Sequence, residues 1–222
     1  MKRKLEAVIF DLDGVIVNTS KYHFISWQKM AKKIGIKIDK DFERYLKGIS
    51  RVGSLEKILE FYKKHYSPEV KRDLMRQKNN YYLTYLDNIG QDELLPGVLL
   101  CLKLLKAKNI KTVLASMSKN AIRVIEKLEI GQYFNFVIDS NNIRESKPDP
   151  EIFIKAAGSV GASYRGCIGI EDSVAGLKAI NKCGMVSVGV GDPKELSMAD
   201  INIKDLSEFD IKAVCSYGGF NV

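Results

Sequence analysis

The fold of this chain is decided by residues 5–14, which read LEAVIFDLDG. The stretch begins with mostly apolar side chains, which are typical of a buried strand in a parallel sheet. Asp11, Asp13 and Gly14 follow where that strand should end, and an open α/β sheet binds its ligand at this end. Two carboxylates there can hold a hard cation, attack phosphorus or transfer a proton. The motif alone leaves these three roles open.

The composition is that of an ordinary globular protein with a full hydrophobic core. Of the 222 residues, 45% are apolar and 28% are charged, which is usual for such proteins. No stretch approaches the roughly 18–20 apolar residues of a membrane span. The basic N-terminus and the apolar run after it resemble a signal peptide, but Asp11 and Asp13 cut that run too short. We therefore expect a cytoplasmic protein without a membrane partner.

Cysteine content and charge narrow the range of partners. The cysteines are widely spaced and there are only two histidines, so we expect no zinc site. We expect buried free thiols at Cys101, Cys167, Cys183 and Cys215. The net charge of +8 comes from basic residues spread along the chain, without a dense cluster. This pattern favours solvated helix faces and some attraction for anionic small molecules, with nucleic-acid binding as the alternative. Nothing in the sequence demands more than a monomer, so we expect one.

A change of periodicity divides the chain. Residues 19–93 carry apolar side chains at helical spacing and no convincing strand, which predicts an all-helical segment. From residue 94 onward strands alternate with helices, which predicts a parallel sheet flanked by helices. The strands predicted in this part are residues 112–115, 136–138, 167–170 and 185–190. We therefore predict a Rossmann-like α/β core of residues 1–18 and 94–222, with residues 19–93 inserted as a helical cap over the ligand end.

Two later loops carry groups suited to binding phosphate. Residues 116–120 supply hydroxyls and other donors just before a helix, a usual place for a phosphate. Plain capping of that helix by Ser118 is the structural alternative. Lys147 stands in the loop SKPDP, where it can act as a point charge for a phosphoryl group. A solvent-exposed lysine in a turn is the alternative there.

A pair of acids ends one more strand. Glu171 and Asp172 repel each other, which favours a bound cation beside them. Helix capping by Asp172 or Ser173 is the structural alternative. Together, residues 11–14 and these later groups make up the parts needed for phosphoryl transfer, where positioning and charge neutralisation dominate catalysis.

In their order and spacing, these motifs resemble the haloacid dehalogenase superfamily. Its four motifs match DLDGV at residues 11–15, Ser116, Lys147 in KPDP, and Glu171 with Asp172. The resemblance implies an Asp11 nucleophile that becomes an aspartyl-phosphate, Asp13 as general acid and base, and Mg²⁺ as cofactor. The implied metal ligands are Asp11, the Asp13 carbonyl, Glu171 and Asp172. The residues implied to hold the transferring phosphate are Ser116, Met117 and Lys147. The aspartate at position 13 marks the phosphate-handling branches, so dehalogenation is disfavoured.

The predicted cap resembles that of sugar-phosphate mutases in the same superfamily, in segments 19–27, 46–59 and 77–82. The resemblance implies that Arg51 grips the phosphate that is not transferred. His23 and Lys78 resemble cap residues that support closure and catalysis near Asp13. The other implied substrate-binding residues are Trp27, Gly48, Ile49, Ser54, Ser118, Lys119 and Asn120. The alternatives are a helix-surface position for His23 and a purely core position for Trp27.

The implied reaction converts β-glucose 1-phosphate to glucose 6-phosphate through bound β-glucose 1,6-bisphosphate. The alternative is a Mg²⁺-dependent sugar-phosphate phosphatase with the same core chemistry and water as the acceptor. Arg51, His23 and Lys78 in the cap favour the mutase.

Two parts of the sequence lie outside these motifs. Asn18 stands where many members of the superfamily have an acid, next to the hinge residue Thr19. The Asn18 amide keeps hydrogen-bonding capacity but lacks that charge, so we expect the difference to affect the hinge more than the chemistry. The tail from Asp210 to Val222 includes Gly218 and Gly219, which we read as a loop without an assigned role.

Overall fold

A computed structural model of the protein describes residues 3–46 and 48–221. The strands are β1 (Arg3–Lys4), β2 (Ala7–Phe10), β3 (Lys111–Leu114), β4 (Phe136–Val137), β5 (Cys167–Glu171), β6 (Val186–Val190), β7 (Ile201–Ile203) and β8 (Phe220–Asn221). The helices are α1 (Ser20–Lys33), α2 (Arg51–Phe61), α3 (Pro68–Leu86), α4 (Val98–Ala107), α5 (Ala121–Lys127), α6 (Glu151–Ser159), α7 (Val174–Cys183) and α8 (Ile211–Gly218). Several short 3₁₀ turns connect them.

A six-stranded parallel sheet forms the centre of the molecule, with strand order β4-β3-β2-β5-β6-β7. β2 is buried along its whole length and lies between β3 and β5, with Ala7 opposite both Lys111 and Cys167. The predicted α/β class with a parallel sheet is confirmed. The register also brings the C-terminal ends of β2, β3 and β5 to one edge, where the polar motifs follow them.

Helices cover both faces of this sheet. Val8 and Phe10 belong to a hydrophobic cluster that includes residues of α4, α5 and α8. Ala7 and Ile9 point to the opposite face, because side chains alternate along a strand, and they join a second cluster with residues of α6 and α7. The sheet is therefore the middle of three layers, as expected for a parallel sheet with helical crossovers.

The segment that follows β2 contains α1, α2 and α3. No strand is present among the described residues from 19 to 93, which exclude Lys47. Ser67 caps α3 by accepting a hydrogen bond from the Val70 N–H at 3.4 Å, and Pro68 occupies the first turn. These helices enclose a third hydrophobic cluster, which includes Trp27 and Met30. This separate cluster supports our proposal that residues 19–93 form a cap on a core of residues 1–18 and 94–222.

The two connections between this segment and the sheet run side by side. Val17 forms an isolated antiparallel bridge with Leu94. The Leu95 N–H also donates to the Ile16 carbonyl at 3.0 Å. The helical segment therefore leaves and re-enters the sheet at one place, next to the end of β2.

The loop that we expected in the tail is instead a helix and a strand in its described residues. Residues 211–218 form α8, and Gly219 ends the helix in the left-handed region with φ 66°. Phe220 is buried, and β8 pairs in parallel with β1. β7 was not predicted either, and Val222 lies outside the described residues.

Two expectations from the composition concern membrane spans and cysteines. No helix among the described residues is long and apolar enough to cross a bilayer. All four cysteines are buried and free, as predicted.

Candidate active site

Lys147 lies at the centre of a buried charge network. Its Nζ donates to Asp11 Oδ1 at 2.6 Å, to Glu171 Oε1 at 2.5 Å and to the carbonyl of Ala115 at 3.2 Å. The side chain is 0% exposed, so the alternative of a solvent-exposed lysine in a turn is wrong. The loop that carries it folds inward beneath the strand ends and brings the ammonium between two carboxylates.

Asp11 follows β2 directly and is held on both carboxylate oxygens. Its Oδ2 accepts the Asp13 N–H at 3.1 Å, while Oδ1 faces Lys147. Burial raises the pKa of Asp11 well above its usual value, against the attraction of Lys147 and with the help of Glu171. Burial alone would lower the pKa of Lys147, but Asp11 and Glu171 outweigh it and raise that pKa. Lys147 therefore keeps its proton, but its single positive charge does not fully offset the effect of burial on Asp11.

Glu171 fixes the loop at the end of β5. Its Oε2 accepts three hydrogen bonds, from the N–H of Asp172 and the N–H of Ser173 at 3.0 Å each and from the Ser173 hydroxyl at 2.9 Å. The Ser173 oxygen in turn accepts the Gly176 N–H at 3.1 Å and caps α7. The capping alternative thus holds for Ser173, whereas Asp172 is not the N-cap.

Three acids lie close enough together to share a cation. Ligand oxygens of Asp11, Glu171 and Asp172 all lie within 4.8 Å of one another. Gly14 makes this approach possible, because its φ is +91° and a Cβ there would lie 2.1 Å from Asp172 Oδ2. Carboxylate oxygens are the ligands that hard divalent cations prefer. This set of three carboxylates fits a divalent metal.

Asp13 points away from this cluster toward α1. Its Oδ1 accepts a hydrogen bond from the Thr19 hydroxyl and lies 3.8 Å from His23 Nε2. Burial raises the pKa of Asp13, opposed by the Thr19 hydrogen bond and by the charge of Lys78. A carboxyl group with a raised pKa is better suited to giving a proton as well as taking one.

His23 and Lys78 connect Asp13 to the third helix of the cap. Lys78 Nζ lies 2.5 Å from His23 Nδ1, and the His23 ring stacks on Tyr82 with centroids 3.9 Å apart. Burial, together with the charges of Lys78 and Arg51, holds the pKa of His23 well below 6.5. Burial and Arg51 likewise lower the pKa of Lys78 to about 7. The His23 side chain is 25% exposed. Its ring stacks on Tyr82 of α3 and lines the cavity between cap and core, so it does not lie on an open helix surface as the alternative required.

A cavity of about 510 Å³ opens between the cap helices and the strand ends. Thirteen of the predicted site residues line it: Asp11, Asp13, His23, Trp27, Gly48, Ile49, Arg51, Ser54, Lys78, Ser116, Met117, Ser118 and Lys119. Lys147, Glu171, Asp172 and Asn120 do not line it. Trp27 is at once part of the cap cluster and part of the cavity wall.

The loop after β3 curls to present its polar groups. Ser116 is buried, and its Oγ accepts the Ser118 N–H at 3.0 Å. Ser118 Oγ accepts the Asn120 N–H at 3.3 Å. Asn120, not Ser118, is the N-cap of α5 and makes no side-chain capping bond. The capping alternative for Ser118 is therefore wrong, and its hydroxyl stands at the cavity wall.

The described part of the cap lies directly on the core. Gly48 has φ +72°, and a Cβ there would lie 2.5 Å from the Ser173 oxygen at the start of α7. This approach leaves no room for a side chain at position 48. The loop at Gly48 and the start of α7 are therefore in close contact.

Sequence reasoning missed Asn79 on α3. Asn79 Oδ1 accepts from Arg51 Nη2 at 2.6 Å and from Asn120 Nδ2 at 3.0 Å. Asn79 directly follows Lys78 in the segment 77–82 that carried the cap resemblance. Its position next to Lys78 in this segment is the sequence signal that could have identified Asn79 as a site residue.

Comparison with known proteins agrees with this geometry. The profile of the haloacid dehalogenase-like hydrolase family matches residues 5–184. "Beta-phosphoglucomutase" of Bacillus subtilis (strain 168) is 40% identical over 94% of this chain and 93% of that protein. The crystal structure of β-phosphoglucomutase from Clostridium difficile has a TM-score of 0.94 at 43% identity, covering 96% of this chain and 97% of that one. A phosphorylated carbohydrates phosphatase of Thermotoga maritima is 27% identical over 82% of both chains. These matches span the cap as well as the sheet and its four motifs, and from them we conclude that the chain belongs to the haloacid dehalogenase-like hydrolase family.

Proposed function

We propose that this protein is a β-phosphoglucomutase, which interconverts β-glucose 1-phosphate and glucose 6-phosphate. One observation carries the proposal beyond the relatives at 40% and 43% identity. The same cavity is lined by the Asp11–Asp13 pair and by a second anion-binding group, Arg51. A mutase needs two phosphate sites in one enclosed space, because both ends of its bisphosphate intermediate must reach the same nucleophile.

In the proposed reaction an Asp11 oxygen attacks phosphorus and the sugar oxygen leaves, which forms an aspartyl-phosphate. Lys147 and the Ser116 hydroxyl, with Met117 beside them, hold the oxygens of the transferring group. Lys147 already contacts Asp11 at 2.6 Å, so it needs little movement to do so. Mg²⁺, held by Asp11, the Asp13 carbonyl, Glu171 and Asp172, would neutralise charge on that group.

Asp13 transfers the proton in both half-reactions. It protonates the sugar oxygen that leaves phosphorus in one direction and deprotonates the attacking hydroxyl in the other. Its raised pKa supports this double role. His23 lies 3.8 Å from Asp13 and contacts Lys78, so these two cap groups orient the carboxyl when the cap is closed.

The cap decides which molecule receives the phosphoryl group. Arg51 binds the phosphate that is not transferred, with help from the 118–120 loop of the core, which contributes Ser118, Lys119 and Asn120. Trp27, Gly48, Ile49 and Ser54 enclose the sugar. β-Glucose 1,6-bisphosphate then turns round between two transfers. The closed cap keeps water away from the aspartyl-phosphate.

A sugar-phosphate phosphatase is the second candidate, favoured by the Thermotoga maritima relative at 27% identity. It would use the same Asp11 chemistry with water as the acceptor. We also propose a monomer, since all residues of this site belong to one chain. A reducing, cytoplasmic setting is supported by the four buried free thiols.

A direct assay distinguishes the two candidates. The protein is supplied with β-glucose 1-phosphate, Mg²⁺ and a trace of β-glucose 1,6-bisphosphate. Glucose 6-phosphate and inorganic phosphate are followed in parallel, with α-glucose 1-phosphate and maltose 1-phosphate as comparison substrates. We expect glucose 6-phosphate from the β-anomer. Steady phosphate release without glucose 6-phosphate would contradict the mutase and favour the phosphatase.

A further inference from the structure

We propose that Asn79 is a positioning residue that assembles the clamp for the non-transferring phosphate, an inference that rests on the proposed mutase function. The clamp is made of Arg51 from the cap and Asn120 from the core. Asn79 touches neither the nucleophile nor the metal cluster in the contacts described above. It would act through these two donors.

The geometry gives Asn79 a single, shared role. Its Oδ1 accepts from Arg51 Nη2 at 2.6 Å and from Asn120 Nδ2 at 3.0 Å. Both hydrogen bonds converge on one oxygen, so the two donors are held next to each other before a ligand arrives. A phosphate oxygen accepts hydrogen bonds from the same kinds of group. The Asn79 oxygen therefore holds the donors in an arrangement that a phosphate oxygen can take over.

The chemistry of the carboxamide matters as much as its position. A neutral oxygen orients the Arg51 guanidinium without neutralising its charge. Arg51 is half-buried, and burial lowers its pKa from its usual value. A guanidinium nevertheless stays protonated in proteins, so Arg51 is cationic. An aspartate at position 79 would instead form an ion pair with Arg51 and compete with the incoming phosphate.

Asn79 also links clamp assembly to cap position. Asn79 and Arg51 lie on α3 and α2, whereas Asn120 precedes α5 in the part of the chain that flanks the sheet. The hydrogen bond from Asn120 to Asn79 can form only when the cap lies against the core. The clamp is thus complete only when the cap lies against the core.

Substitution should therefore weaken sugar-phosphate binding more than the chemical step. We expect Asn79→Ala to raise KM for β-glucose 1-phosphate about ten-fold, as for the loss of a hydrogen bond to a charged group, with kcat changed less than three-fold. Asn79→Asp should raise KM at least as much, although it keeps an acceptor oxygen. Asn80→Ala is the matched control, because Asn80 is an exposed asparagine on the same helix.

A binding measurement separates this inference from the mutase proposal. Trp27 is the only tryptophan of the chain and lines the cavity, so its fluorescence can report binding of glucose 6-phosphate without turnover. Asn79→Ala should raise the Kd about ten-fold relative to Asn80→Ala. A wild-type protein that binds glucose 6-phosphate but forms none from β-glucose 1-phosphate would overturn the mutase proposal, while the ratio of Kd values would still test Asn79.

A double-mutant cycle tests whether Asn79 acts through Arg51. On an Arg51→Ala background, Asn79→Ala should add less than a two-fold change in Kd, because the donor that it orients is gone. The same ten-fold change on both backgrounds would overturn the inference. So would an unchanged Kd in Asn79→Ala, or a loss of kcat as large as the rise in KM, which would indicate a general structural role.

Discussion

Replacing Lys147 with methionine should destabilise the fold, because it leaves buried carboxylates without their cation. Lys147 and Glu171 have side chains that are 0% exposed, and the Asp11 side chain is only 7% exposed. Methionine is similar in length and fills the space of the lysine stem. Lys147→Met therefore removes the charge and the donors with little loss of packing.

The magnitude follows from the cost of an uncompensated buried charge. Breaking a buried ion pair by removing one partner costs about 3–5 kcal/mol. For a chain of this size each kcal/mol lowers the melting temperature by roughly 2–4 °C, so we expect a fall of roughly 6–20 °C at pH 7.5. Lys155→Met is the matched control. Lys155 is 44% exposed and pairs with Glu151 on the same helix, so its loss should cost less than about 0.5 kcal/mol.

The loss of stability in Lys147→Met relative to wild type, called the deficit below, should depend on pH in a defined direction. The pKa of Asp11 is already raised by burial, and removal of Lys147 raises it further. Between the usual carboxyl pKa near 3.8 and this raised value, the folded variant binds more protons than the unfolded chain. Its stability therefore falls as pH rises through that window. The deficit against wild type should be smaller at pH 5 than at pH 8.

Thermal unfolding of the three proteins at pH 5, 6.5 and 8, with and without Mg²⁺, is the assay. Mg²⁺ should narrow the deficit, because it supplies the missing positive charge beside Asp11. A Lys147→Met deficit that matches Lys155→Met would refute the reasoning. A deficit that grows toward low pH would refute it as well, since protonation should relieve the unpaired carboxylates.

Three further predictions concern the reaction and the cap. Asp11→Asn should abolish turnover and phosphoenzyme formation, measured by coupled assay and intact mass; residual mutase activity of that protein would argue against the nucleophile. Arg51→Ala should lower mutase activity about 100-fold, the scale of losing one side of a charged contact, while slow hydrolysis of the phosphoenzyme continues; equal loss of both activities would count against the clamp. As pH rises from 7 to 10, the stability of the wild type relative to Lys78→Met should increase. Burial and Arg51 lower the pKa of Lys78 in the folded protein to about 7, so in this pH range the unfolded chain binds more protons than the folded one. Parallel melting curves against pH would contradict that assignment.

The position of the acids was predictable from the sequence because it depends on local pattern. An apolar run that ends in Asp11 and Asp13 predicts a strand and its ligand end, and β2 has that arrangement. The same reasoning placed Glu171 at the end of β5. Parallel strands bring their C-terminal ends to one edge, so the meeting of these acids followed from the fold class.

The burial of Lys147 could not be settled from its own segment. A lysine among prolines is typical of an exposed turn, and only the neighbouring positions of β2 and β5 place carboxylates on two sides of it. Asn79 was missed for a related reason. Its partners lie 28 and 41 positions away in the sequence, on different elements, and no local pattern joins them.

β2 occupies the centre of the sheet, yet both of its neighbouring strands come after the entire cap in the chain. Contacts between such distant segments form slowly, because a long loop must close first. The helices between them pack on one another. They are synthesised before β3 and β5, at a stage when the apolar β2 still lacks its partners. We therefore expect the strand that leads to Asp11 to pair late, so that Asp11 reaches its final position only when β3 and β5 have been made.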